Sequence, residues 1–118
     1  KLLGLFNSVG WAKNAGIKGA KNITKTHKNS QVVISAWNGK ELIGVVRGLT
    51  DKINFGLVLQ LIVNPRYQKQ GIGKELFFRC VKTYPEVEWN FRVAKEALGF
   101  YKKLQFKKSK GLWYTYKF

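Results

Sequence analysis

The chain has 118 residues, a length that buries a single hydrophobic core, so one domain is expected over 1–118. Hydrophobic residues make up 45 % of it, with eight Phe, five Tyr and four Trp, which excludes a disordered chain. Lys and Arg number 22 against six Asp and Glu, a formal charge of +16; the surface attracts polyanions, whether phosphates, nucleic acid or acidic headgroups, although charge of one sign also serves solubility.

Leu2, Leu3, Leu5, Phe6 and Val9 recur at helical spacing up to Gly10, and Ile17, Ala20, Ile23 and Thr24 mark a second, weaker helix before Asn29 and Ser30. His27, the one histidine, is given a surface or helix-face role in preference to a catalytic one. Gln31 to Trp37 and Glu41 to Leu49, rich in Val and Ile, read as a hairpin whose Asn38-Gly39-Lys40 link offers Asn-Gly for the positive φ angles of a tight turn. After Thr50-Asp51-Lys52, Phe55 to Val63 is apolar on both faces and is expected at the centre of a sheet, ended by Asn64 and Pro65. Its run from Leu57 to Val63 is the longest apolar stretch. Gln60 breaks it and it falls short of the ~20 residues that cross a bilayer, so a soluble protein without a membrane partner is expected.

From Gly71 the period changes: Ile72, Leu76, Phe77, Cys80, Val81 and Tyr84 share one helical face, with Lys74, Glu75, Arg79 and Lys82 opposite, until Pro85. Cys80, the single cysteine, excludes an internal disulfide and a cysteine-rich metal site; no metal is expected, and the setting is read as reducing and cytoplasmic. On the apolar face, without a His nearby in sequence, it reads as packing and not as a nucleophile. Val87 to Phe91 reads as a strand, Ala94 to Lys103 as a helix with Ala97, Leu98 and Tyr101 on one face, and Leu112 to Phe118 as a closing aromatic strand. The order predicts an α/β (α+β) fold, a mixed sheet flanked by helices on both faces.

The stretch best suited to chemistry runs from Val63 to Lys74, a strand that enters a glycine-bearing turn and then a helix. The first N–H groups of a helix have no internal acceptors, and its dipole adds roughly half a positive charge there, so an anion is favoured at that end. Gly71 and Gly73 permit close backbone approach, while Arg66, Lys69 and Lys74 add formal charge. A Walker loop would need an earlier glycine and Ser or Thr where Glu75 stands, and the dinucleotide fingerprint would need glycine at Leu76.

With Gln68 and the preceding strand included, Gln68-Lys69-Gln70-Gly71-Ile72-Gly73 resembles the Q/R-x-x-G-x-G/A signature of the GNAT superfamily of N-acetyltransferases. Phe100-Tyr101-Lys102-Lys103-Leu104-Gln105-Phe106 is similar to the family's F-Y-x-x-x-G-F. Gln105 replaces the glycine, Ala94 stands where many members have Asn, and the family's first strand is not found before the opening helix. A sheet edge left open there would invite a partner strand, hence a homodimer.

The resemblance implies a GNAT-like, mostly antiparallel sheet and a small, bacterial-type enzyme that moves an acetyl group from acetyl-CoA, its cosubstrate, directly to a primary amine. It implies Leu61, Ile62 and Val63 for pantetheine and thioester, Gln68, Lys69, Gln70, Gly71, Ile72, Gly73 and Lys74 for the pyrophosphate, and Lys103 as a further CoA contact. A backbone N–H near Ile62 or Val63 would polarise the thioester carbonyl, and oriented donors of this kind contribute ~3–4 kcal/mol to acyl transfer. Tyr101 is then the proton donor to the departing thiolate; read from its helical face alone, it is a core tyrosine. Trp11 and Phe6 would line the acceptor mouth, although Phe6 fits a core equally well. The strand position that often carries a general base holds Gln60, whose amide cannot serve. A water chain, an amine bound neutral, or an acid among Glu41, Asp51 and Glu88 all stay open.

Two other functions compete. A basic nucleic-acid-binding module would set Lys and Arg on phosphates and stack Trp or Tyr on bases, but the aromatics fit strand and helix interiors and the charges are spread, so no specific nucleic acid is expected. A CoA-binding protein without turnover would keep the same fold, and Gln60 and Gln105 are compatible with it. The positive surface favours neutral or acidic amines over polycations as acceptors.

Overall fold

The computed structural model describes residues 1–10, 16–91, 98–104, 106 and 114. The expected closing strand from Leu112 to Phe118 lies outside them except for Tyr114, as do Trp11, Ala94, Ala97 and Gln105. In chain order the elements are α1 (Leu2–Ser8), α2 (Gly16–Lys28), β1 (Val32–Asn38), β2 (Glu41–Thr50), β3 (Phe55–Val63), a 3₁₀ turn (Pro65–Tyr67), α3 (Ile72–Lys82), β4 (Glu88–Phe91) and α4 (Leu98–Lys103). The sheet order is β1-β2-β3-β4, antiparallel at the first two pairings and parallel between β3 and β4, with α3 as the crossover.

Strand alternation divides the core in two. Val32, Val46, Val58 and Val63 point to the face covered by Leu76, Phe77 and Cys80 of α3, whereas Val45 and Ile62 point to the opposite face, under Leu5 and Phe6 of α1. β3 is central and buries residues on both faces, as expected of a strand that is apolar on both sides. Among the described residues β1 lies at the sheet edge, with Val33 and Trp37 exposed.

Two local details differ from the sequence expectation, and a third was not foreseen. In the hairpin only Gly39 has a positive φ, +60°; Asn38 closes β1 and pairs with Glu41, so the loop is Gly39-Lys40. Tyr84 lies beyond α3, because the helix ends at Lys82 and Thr83 caps it through a bond to Cys80 O. The indole of Trp89, from β4, lies where a side chain on either of two sheet glycines would have to go. A Cβ on Gly56 would come within 2.5 Å of the ring, and one on Gly48 within 3.0 Å of both the ring and Cys80 Sγ.

His27 is buried, at 6 % exposure, and meets Phe6 edge-on with ring centroids 5.7 Å apart. Its Nδ1 lies 2.8 Å from Ile23 O and therefore carries the proton, while Nε2 is buried with no partner among the described residues. Burial first, and the charge of Arg47 after it, lower the imidazole pKa against the opposing pull of the Ile23 bond. The fold thus favours neutral imidazole. The stability this contributes is complete above the unfolded value of about 6.5 and is lost as pH falls below it toward the folded value. Thermal melts of wild type should drop from pH 7.5 to pH 5 more steeply than those of His27→Phe; parallel slopes would assign the acid sensitivity elsewhere.

Candidate active site

At the end of β3, Asn64 turns the chain: its Oδ1 accepts from Arg66 N at 3.0 Å, its carbonyl accepts from Tyr67 N at 2.8 Å, and Pro65 supplies the fixed φ of the first 3₁₀ position. The Gln68 side chain folds back to donate to Val63 O at 2.9 Å, which ties the turn to the strand it left. Tyr67 donates to Glu41 Oε1 at 2.8 Å and accepts from Asn38 Nδ2 at 3.1 Å, which ties the same turn to the hairpin. Two backbone reversals follow, at Lys69 with φ +64° and at Gly71 with φ +86°.

α3 starts at once, with no side chain capping it; its first bonded amide is Glu75 N, on Gly71 O at 3.0 Å. The amides before it have no acceptor inside the helix and no side-chain cap, the state in which a helix start binds anions through backbone N–H groups. A Cβ at Gly71 would meet nothing within 4 Å, so the left-handed backbone and not crowding selects glycine there. Gly73 faces Val63 and Phe100, each 3.7 Å from where its Cβ would be, and so brings the start of α4 to the turn. Lys69, Gln70 and Lys74 are exposed at this turn, and Ile72 anchors it in the core.

Among the described residues the strand edge beside it is open. β4 pairs with β3 from Phe55↔Glu88 to Val58↔Phe91, and there the described ladder stops. Leu59 is the extra residue of a bulge, since Arg47 faces Gln60 while Gly48 faces Val58. From Leu59 to Val63 the side of β3 away from β2 has no strand partner among the described residues, and alternate peptide groups there point outward. Leu61, Ile62 and Val63 are therefore brought together with Gln68 to Lys74 at one end of the sheet.

Tyr101 lies beside the end of the described β3–β4 ladder. Its ring stacks on Phe91, the last paired residue of β4, at 4.8 Å and 27°, and approaches Phe77 at 6.1 Å and Phe106 at 5.9 Å. The ring is thus part of the core, as its helical face suggests, while the hydroxyl has no hydrogen-bond partner among the described residues. Burial raises its pKa above the ordinary phenol value. Lys103 is exposed on the last turn of α4, and no hydrogen bond or ion pair among the described residues joins it to the turn.

The acids named as candidate bases sit badly for the middle of β3. Asp51 accepts from the amides of Ile53, Asn54 and Phe55 at 2.8, 2.8 and 3.1 Å, and those bonds hold its carboxyl below the usual range. Glu88 pairs with Phe55, the far end of a nine-residue strand that spans ~26 Å to Val63. Glu41 is engaged by Tyr67. The sequence reading missed the left-handed Lys69, which no residue type signals, and a polar group under α2 in which Arg47 Nε donates to Gln60 Oε1 at 2.8 Å. A lone arginine inside the apolar run from Leu42 to Leu49 was the available signal for the second.

A sequence model of the acetyltransferase (GNAT) domain matches residues 15–113. The chain belongs to the GNAT acetyltransferase family. This GNAT chain is 28 % identical over 122 residues to an uncharacterized N-acetyltransferase, ycf52, of Pyropia yezoensis, a match covering 93 % of the chain and 68 % of that protein. Its fold superposes on a GNAT-family acetyltransferase of Streptococcus pneumoniae with a TM-score of 0.73 and 26 % identity, over 98 % of this chain and 89 % of the other. The PaiA N-acetyltransferase of Thermoplasma acidophilum, solved in complex with coenzyme A, shares the GNAT fold at a TM-score of 0.60 and 20 % identity, over 86 % and 68 % of the two chains. The GNAT chain is accordingly an acyltransferase of the N-acetyltransferase class. Among its described residues no helix is long and apolar enough to cross a membrane.

Proposed function

We propose that the chain transfers acetyl from acetyl-CoA to a primary amine by direct attack, with no acyl-enzyme, and that Tyr101 protonates the CoA thiolate. The observation that carries this reading is the uncapped start of α3, reached through two left-handed residues, directly beside the stretch of β3 whose outer side has no strand partner among the described residues. The amides from Gly71 onward, with Lys69 and Lys74 nearby, suit the pyrophosphate; the outward peptide groups of Leu61 to Val63 suit pantetheine and the thioester carbonyl. In the transfer the amine nitrogen bonds to the carbonyl carbon and the C–S bond breaks. The sulfur takes the Tyr101 proton, which solvent restores, and the amine proton leaves through water, since none of Glu41, Asp51 and Glu88 is free at the middle of β3.

A cytoplasmic setting, suggested by one free buried cysteine, belongs to the same proposal. Isothermal titration of acetyl-CoA and of CoA into the purified chain tests it. Saturable binding of both is expected, followed by thiol release in an amine screen. A folded chain that binds neither would sink the proposal.

A further inference from the structure

We infer that the acceptor carries an anionic group, a carboxylate in the first instance, and that Arg47 holds it; this rests on the acetyltransferase reading above. Arg47 projects from β2 onto the sheet face covered by α1 and α2, and it is half-buried. Its partners are neutral: Gln60 Oε1 accepts from Nε at 2.8 Å and Ser30 Oγ accepts from Nη1 at 3.3 Å. Among the described residues no carboxylate lies within 4.0 Å of it, and the pKa of neighbouring His27 is lowered by burial and by Arg47 itself. A guanidinium drawn out of water with only amide and hydroxyl company gains from an anion, and its forked donors match a carboxylate in two-point geometry.

Position gives the anion its meaning. Gln60 is the first residue past the bulge, at the level where the outer edge of β3 comes free, and its amide fixes the guanidinium there. Neighbouring strands are ~4.8 Å apart, so Arg47 is within the length of a small molecule from the expected thioester carbon. The approach is also positive. Lys21, Lys25 and Lys28 line one exposed groove on α2 at helical spacing, that helix carries no acid, and Ser30 lies two residues past its end. An acceptor of one negative and one nucleophilic end would be drawn along α2, caught by Arg47 and turned with its amine toward β3.

The test compares amines that differ in one carboxylate: glycine with glycinamide, β-alanine with β-alaninamide, and γ-aminobutyrate with its amide. In Arg47→Gln the kcat/KM for the acid of a pair should fall about ten- to a hundred-fold, and that for the amide by less than about threefold. Taking the ratio of ratios cancels the different basicities of the amines. Lys21→Gln/Lys25→Gln/Lys28→Gln, all at exposed positions, should weaken the acid only at low salt. That variant keeps the question answerable if Arg47→Gln does not fold. Equal losses for acid and amide, or no turnover of any acid, would overturn the inference. Titration of acetyl-CoA into the same preparations separates this outcome from failure of the acetyltransferase reading, in which wild type would bind no acetyl-CoA.

Discussion

Tyr101→Phe should lower kcat by about 10²- to 10⁴-fold, the usual contribution of a positioned general acid, while leaving acetyl-CoA affinity within about twofold. Phenylalanine keeps the stack on Phe91 and the edge contacts to Phe77 and Phe106, and the lost hydroxyl leaves no described partner unpaired. Melting should therefore be nearly unchanged, and single-turnover kinetics with saturating amine isolates the chemical step. An unchanged kcat would make Tyr101 a core residue only. Because burial raises its pKa, the phenol stays protonated through neutral pH and past its ordinary value of about 10. Wild-type kcat should then show no loss from phenol ionisation below that pH. The fold favours the neutral phenol, so the stability it adds is present below about pH 10 and is lost as pH rises through the higher folded value.

Gly71→Asp should raise the acetyl-CoA dissociation constant by at least about 100-fold, measured by titration, with the fold retained. Aspartate in a left-handed conformation costs about 1–2 kcal/mol, nothing lies within 4 Å to clash with it, and a carboxylate at a helix start offsets part of the cost. What it brings is a negative charge at the turn proposed for the pyrophosphate. Gly71→Asn separates the causes, since it has nearly the same size and backbone preference without the charge. Asn should lose about tenfold at most. Equal losses in the two variants would mean that shape alone decides, and no loss in either would move the pyrophosphate away from this turn.

Much of this was legible in the residues, for identifiable reasons. The period change from two to 3.6 at Gly71 marks α3, and the stretch from Phe55 to Val63, apolar on both faces save for Gln60, marks the central strand, because burial dictates both patterns. The bulge at Leu59 was not legible: it depends on how β2 and β3 register, and Leu59 looks like any other strand residue. Nor was the burial of His27, which follows from how α2 lies against Phe6. Gln60 carried half of its message. As an amide it could be ruled out as base, but only the pairing of the strands shows that it grips Arg47.

The indole of Trp89, seated over Gly48 and Gly56, links three positions that are far apart in the chain. Alanine at 56 would need the ring to leave, and a smaller residue at 89 would leave both glycines beside a void, so each substitution is costly alone and tolerable only with the others. Across relatives these sites should drift as a set, tryptophan accompanying two glycines, and this stretch of the paired β3–β4 ladder should be among the slowest places in the fold to evolve.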